Sequence, residues 1–158
     1  MKDKSANMKL TNIFRWMMEE GYYPDYEQKY IQFDIDDNTA VVEYDEDIIS
    51  VRLFFTIEEE AYDMFLEASN STMLETYAVK SAVLDNMTHL MFSCEFMCDN
   101  LRDFQRFFPR AVNRIKEALA AHKSEMKKLI LASEVVSATI PATDESMTGI
   151  DIRQKMLS

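Results

Sequence analysis

Glycine is almost absent from this chain: Gly21 and Gly149 are its only two. A loop that cradles phosphate needs several glycines so that backbone N–H groups can close on the anion, so nucleotide-binding loops of that kind are excluded. The same scarcity removes the Gly-x-Ser-x-Gly elbow of many hydrolases. Basic residues are the minority, 17 against 28 acids for a net charge of −11. A duplex nucleic-acid binder needs clustered lysine and arginine, so no nucleic-acid partner is expected. Cysteine occurs twice, as Cys94 and Cys98. On one extended strand their Cα atoms stand roughly 13 Å apart, beyond disulfide reach, and unpaired thiols fit a reducing compartment. Neither forms a metal spacing with His89 or His122, so no zinc site is expected. Apolar runs of membrane-spanning length are missing too, and Met-Lys-Asp-Lys-Ser-Ala-Asn at the start is not an apolar leader. The expectation is a cytoplasmic protein with no membrane partner.

What is present is ordinary globular material: 158 residues, 47% hydrophobic and 28% charged, enough for one domain with a real core. Twelve methionines serve either as adaptable core filler or as a pliable binding surface. Charge is unevenly placed. From Glu19 to Glu67 sixteen acids face only Lys29 and Arg52, whereas from Asn100 to Ile130 eight bases face Asp103, Glu117 and Glu125. An acidic body with a basic final helix either keeps the protein soluble or lets copies dock by complementarity.

The hydrophobic rhythm changes period along the chain. Asn7 can cap a helix with Leu10, Ile13, Phe14 and Met17 on one face, ended by Gly21. Three alternating strands follow: one through Ile31, Phe33 and Ile35, one over Thr39 to Tyr44, and one through Ile49, Val51, Leu53 and Phe55. Asp36-Asp37-Asn38 and Asp45-Glu46-Asp47 supply the turns. Thr56 and Glu59 have capping-box spacing and predict a helix with Ala61, Met64, Phe65 and Ala68 inward, stopping near Ser69-Asn70-Ser71. Two further strands are expected, one within Thr72 to Val83 and one through Leu90, Phe92, Cys94 and Phe96, joined at Asp85-Asn86. Asp99-Asn100 then caps a helix whose stripe runs through Leu101, Phe104, Phe108, Ala111, Val112, Ile115, Ala118, Leu119 and His122. Pro109 favours a short turn from Leu101 to Phe107 before the main helix, with the proline in its first turn. The turns between the first three strands are too short for helical crossovers, so the sheet must be antiparallel. The expected fold is α+β: five antiparallel strands in the order helix–three strands–helix–two strands–helix, the first and last helices covering one face. Residues 1–130 form this domain, and residues 131–158, with Pro141 and Gly149, form a tail apolar enough to dock on the domain or on a second copy.

The run Asn12-Ile13-Phe14-Arg15-Trp16-Met17-Met18-Glu19-Glu20-Gly21-Tyr22-Tyr23-Pro24 resembles the opening of the YbjN-type, type III secretion chaperone-like family, and Phe104 to Ile115 is similar to the start of that family's last helix. The resemblance spans about Asn7 to Ile130. It implies the same order of elements, frequent homodimerisation and no enzymatic activity. The segment after Ile130 has no counterpart in it.

Several constellations invite a site. Asp34, Asp36, Asn38 and Asp45 repeat part of a calcium-loop spacing, but Thr39 replaces the glycine of the sharp turn and the flanks alternate as strands; an acidic hairpin tip explains them, and no metal is expected. Tyr22, Tyr23 and Tyr26 cluster near Trp16, where polar-tipped aromatics suit either a partner surface or the rim of a core. Arg102, Arg106, Arg110 and Arg114, spaced by four, trace a basic stripe opposite the Phe104–Ile115 face, either solvated or facing an acidic partner. These eight residues are the candidates for partner binding; none is assigned to catalysis, to a cofactor or to a metal. The function expected is a non-enzymatic protein-binding or regulatory module acting as a homodimer, the alternative being a sensor that holds a small ligand in an apolar pocket between sheet and helices.

Overall fold

The computed structural model describes residues 8–84 and 87–139. Helix α1 (Leu10–Glu19) buries Ile13 and Met17 and leaves through Gly21 at φ +82°. The Tyr22 N–H donates to Met17 O (3.0 Å) and the Gly21 N–H to Met18 O (3.2 Å), the paired bonds of a Schellman ending that only glycine adopts without strain. The predicted cap, Asn7, lies outside the described residues. Strands β1 (Asp25–Glu27), β2 (Tyr30–Ile35), β3 (Asn38–Asp45) and β4 (Ile48–Thr56) follow as hairpins. Asp36 and Asp37 both take positive φ (47° and 64°), the backbone hand that matches strand twist across a two-residue turn. After a 3₁₀ turn at Glu59–Ala61 come α2 (Tyr62–Glu75), β5 (Lys80–Val83), β6 (His89–Met97) and α3 (Leu101–Thr139).

The strands form one antiparallel sheet in the order β1-β2-β3-β4-β6-β5. Register makes its two faces unlike. Ile31, Val42, Val51 and Cys94 share one row, and Phe33, Ala40, Leu53, Phe92 and Ser81 the next, all on the face that the helices cover. The opposite face carries Gln32, Val41, Arg52, Ser93 and Lys80 in one row and Thr39, Phe54, Met91 and Ala82 in another. The core is therefore a single layer between sheet and helices, closed by Phe33, Phe92, Phe104 and Phe108.

Four expectations need correction. The sheet has six strands, not five; β1 is three residues long and follows Pro24, too short to show any alternation. Thr56 ends β4 instead of capping α2, because buried Ile57 donates its N–H to Thr88 O (2.8 Å) and holds the chain in the sheet. The helix then runs past Ser69-Asn70-Ser71 to Glu75, since Ser69 is bonded to Ser81 (2.7 Å) and Thr72 to Ala68 O (2.7 Å) and neither hydroxyl competes for a helix end. That leaves only Lys80–Val83 for β5. Finally, α3 passes straight through Pro109. An internal proline costs about 3 kcal/mol, but Phe104 and Phe108 stack at 4.9 Å and are fully buried, an apolar gain of about 2 kcal/mol for each ring that only a continuous helix secures. The predicted turn at Asp85-Asn86 lies outside the described residues; of the tail expected over 131–158, residues 131–139 continue α3 and the rest lies outside the described residues as well.

Candidate functional site

The eight predicted residues divide by what they touch. Trp16 meets Phe104 (5.5 Å) and Phe108 (5.9 Å) edge-on, and Tyr22 packs on Phe108 (5.3 Å) and Phe33 (6.2 Å). Both seal the core rim, and burial, then Glu20, pushes the Tyr22 hydroxyl pKa up. Tyr26 lies against Phe14 at the outer edge of the sheet, and Tyr23 is 91% exposed at φ 50°. So of the aromatic cluster only Tyr23 and Tyr26 face solvent. Arg102, Arg106, Arg110 and Arg114 are all exposed, and the unbroken α3 makes their stripe continuous. Arg114 pairs with Glu117 (3.1 Å), and the Arg106 guanidinium stands 5.4 Å over the Phe107 ring. Phe107 in turn packs on Phe96 of β6 (6.1 Å). The stripe thus begins beside the end of a strand.

That strand end is where the sheet is unfinished. β4 pairs with all nine residues of β6, whereas β5 pairs only with Leu90–Ser93. Leu84 N–H donates to His89 O (3.0 Å), so the odd-numbered peptides of β6 point towards β5. Ile57 N–H to Thr88 O and Cys98 N–H to Asp47 O (2.6 Å) direct the even-numbered ones towards β4. Beyond the Lys80–Ser93 pair the next odd residues are Glu95 and Met97. There Ala78 turns at φ 64° and the chain leaves the sheet. Among the described residues, no backbone group pairs with the Glu95 or Met97 peptides on that side. Unpaired N–H and C=O groups in a row are a template for another extended chain.

The surroundings of this edge are apolar above and below. Met97 is 74% exposed on the open face beside Ile48, Phe96 and Phe107 line the helix side, and Tyr77, three residues before β5, is 76% exposed. Its far end is acidic. The Tyr44 hydroxyl pKa is raised by burial and then by Cys98, Asp99 and Asp47 nearby. Towards the middle of the sheet the charges are internally balanced: Glu95 holds Lys80 (2.7 Å) and, with Glu43 (3.4 Å), brackets Arg52 (3.9 Å to Glu95). The hydrogen bond from Lys80 leads the effects that keep the Glu95 carboxyl below its usual range.

Sequence reading overlooked this edge because it depends on where β5 starts, which in turn depends on α2 running to Glu75. His122 stood there only as a member of the α3 stripe and as a histidine outside any metal spacing. The structure buries that ring to 3% exposure among Phe55 (5.2 Å), Phe65 (5.4 Å) and Phe92 (5.6 Å), with neither nitrogen hydrogen-bonded among the described residues. Desolvation lowers its pKa to about 4. These four rings pack together between sheet and helices. Burial pushes both thiols up, Cys94 and Cys98 alike, and so holds them in the less nucleophilic form. Among the described residues no three His, Cys, Asp or Glu side chains gather as a metal site, and no helix is long and apolar enough to cross a membrane.

No family model matches the sequence. No curated protein matches it either. Solved structures do. The crystal structure of YbjN from E. coli, described as a proposed transcription regulator, superposes with a TM-score of 0.62 at 12% identity, covering 77% of this chain and 94% of that one. An uncharacterized protein from Methanothermobacter thermautotrophicus superposes at 0.55 and 13% identity, covering 77% of this chain and 99% of its own. At such identities the likeness concerns fold alone. The helix–strand order, the antiparallel sheet and the helical layer described above are those of a YbjN-type α+β fold.

Proposed function

We propose that this protein is a non-enzymatic protein-binding or regulatory module that works as a homodimer in the cytoplasm, and that its partner adds an extended segment to the open edge of β6. The observation that carries the reading is the pair of outward peptides at Glu95 and Met97, flanked by the apolar side chains of Met97, Tyr77 and Phe96. Main-chain hydrogen bonds would supply affinity, and alternate apolar side chains of the incoming strand would meet Met97 on one face and the Phe96–Phe107 pair on the other. The exposed Arg102, Arg106 and Arg110 stripe lies next to this edge and suits an acidic flank on the same partner. Trp16 and Tyr22 serve this reading only by holding α1 and the start of α3 in place; Tyr23 and Tyr26 remain surface candidates.

The test uses Met97→Pro. Among the described residues the Met97 N–H has no partner, so proline removes one outward donor without breaking a ladder bond there, and the preceding Phe96 is already extended as proline requires. Proteins cross-linked to the full chain through a photoreactive group at Tyr77 would be identified by mass spectrometry and compared between the native sequence and the variant. A partner lost at least tenfold in the proline variant, with unchanged melting and circular dichroism, supports edge pairing. Equal capture by both overturns it.

A further inference from the structure

The end of the sheet nearest the start of α1 is stepped. β2 begins at Tyr30, opposite Glu43, whereas β3 runs on through Tyr44 and Asp45, whose partners are Ile49 and Ile48 of β4. Helix α1 does not fill the step, because the residues that it buries, Ile13 and Met17, lie further along it. What remains is a cleft of about 490 Å³ bounded by Lys9 and Leu10, by the Gln28-Lys29 turn and by the last residues of β3. Leu10 and Tyr44, each half-buried against the core, give it an apolar floor. Lys9 and Lys29 reach it from two different elements, and among the described residues neither ammonium is paired with a carboxylate. Glu43 is already paired with Arg52 (3.4 Å), whereas Asp45 has no paired cation among the described residues. In the acidic stretch from Glu19 to Glu67 Lys29 is one of only two bases. Two unpaired cations on one cleft make it the place in that surrounding where an anion is least repelled.

We propose that this cleft holds a small zwitterion, a free amino acid or a short peptide. Its carboxylate sits between Lys9 and Lys29, its ammonium meets Asp45, and its apolar part rests on Leu10 and Tyr44. The mixed charge of the walls selects this class: an anion alone leaves Asp45 unanswered, and a cation alone is repelled by both lysines. The volume falls in the range of about 300–1,000 Å³ typical of small-molecule sites, larger than a lone inorganic ion needs. Because Lys9, Lys29 and Asp45 are all exposed, each ion pair is weak by itself, so the affinity belongs in the millimolar range and selectivity comes from engaging both ends at once. The site is separate from the open edge of β6, from which β4 divides it, and does not depend on a partner being bound there.

The experiment keeps the full chain and follows its amide resonances by NMR while the dipeptide alanyl-phenylalanine is added. Free phenylalanine, acetate and the C-terminal amide of the dipeptide are titrated alongside. The expected result is saturable shifts of Leu10, Lys29 and Tyr44 with the dipeptide, and binding at least tenfold weaker for its amide, which lacks the carboxylate. Lys9→Gln and Lys29→Gln together should weaken the dipeptide at least tenfold while the resonances of the sheet core stay in place. Asp45→Asn should weaken it as well, yet leave the N-acetylated dipeptide, which has no ammonium, unaffected. Equal affinity for phenylalanine and the dipeptide supports a free amino acid as the occupant, and tighter binding of the dipeptide supports a peptide. No saturation at tens of millimolar overturns the proposal. So does acetate binding as tightly as the dipeptide, or binding indifferent to both lysine substitutions.

Discussion

At the scale of single residues, His122 is the clearest conflict between chemistry and position. A ring with two polar nitrogens sits among three phenylalanines and finds no hydrogen bond among the described residues, so it is tolerated only in its neutral form. Its pKa is about 4 in the folded protein against 6.5 in the unfolded chain. The unfolded state therefore binds the extra proton first, and this contribution to stability is complete above about pH 6.5 and lost as the pH falls towards 4. Between pH 7 and pH 5 the loss should be about 2 kcal/mol, an order-of-magnitude figure from 1.36 kcal/mol per unit. Urea midpoints of the native protein and of His122→Phe check this. The variant, with an apolar ring in the same cage, should be more stable at pH 7 by about 1 kcal/mol and should lack the extra slope between pH 7 and pH 5. An identical slope in both would show that carboxylates, and not His122, govern that range.

At the scale of elements, α3 shows how an end and an interior defect are weighed. Asn100 accepts the Asp103 N–H (2.9 Å) and donates to the Asp103 carboxylate (2.9 Å), a reciprocal cap that the Asp99-Asn100 pair announces in the sequence. Asn100→Ala should cost about 1 kcal/mol, read as a lowered denaturation midpoint, and Asn100→Asp should recover most of it; a neutral alanine would mean that the burial of Phe104 and Phe108 alone fixes the first turns. The turns at Asp36-Asp37 and Asp45-Glu46-Asp47 and the Gly21 ending were equally legible, because each depends on two or three neighbouring residues. The continuation through Pro109 was not. A local penalty was visible in the sequence, whereas the compensating ring stack involves Trp16, Tyr22 and Phe33 from elsewhere in the chain.

At the scale of the whole molecule, one face of the sheet has a helical layer and the other has none among the described residues. The row Thr39, Phe54, Met91 and Ala82 brings a large aromatic to that bare face, and an apolar strip of this kind suits self-association through a two-fold axis. Sedimentation or light scattering at tens of micromolar is expected to give twice the chain mass, and Phe54→Lys to weaken association roughly a hundredfold. A native protein that remains monomeric at high micromolar concentration would remove the dimer from the proposed function. Because Phe54 lies three rows from Met97 on that face, the Phe54→Lys variant should keep its partner on the β6 edge, so the two surfaces can be separated.

Local sequence was enough for the period of the longer segments, for the antiparallel sense of the first hairpins, and for the apolar face of β2, β4 and β6. Those properties follow from side-chain alternation and from turns too short for any other connection. How far each element extends, and what is left open, depends on contacts between distant parts of the chain. Whether α2 stops at Ser69 or Glu75 depends on Ser81 across the interface, and whether α3 breaks at Pro109 depends on rings from α1 and β2. The length of β5, and with it the unpaired edge at Glu95 and Met97, depends on both α2 and the turn at Ala78. Each of these outcomes is a balance of a few kcal/mol between a local cost and contacts from distant residues, and no window of sequence contains both sides of that balance.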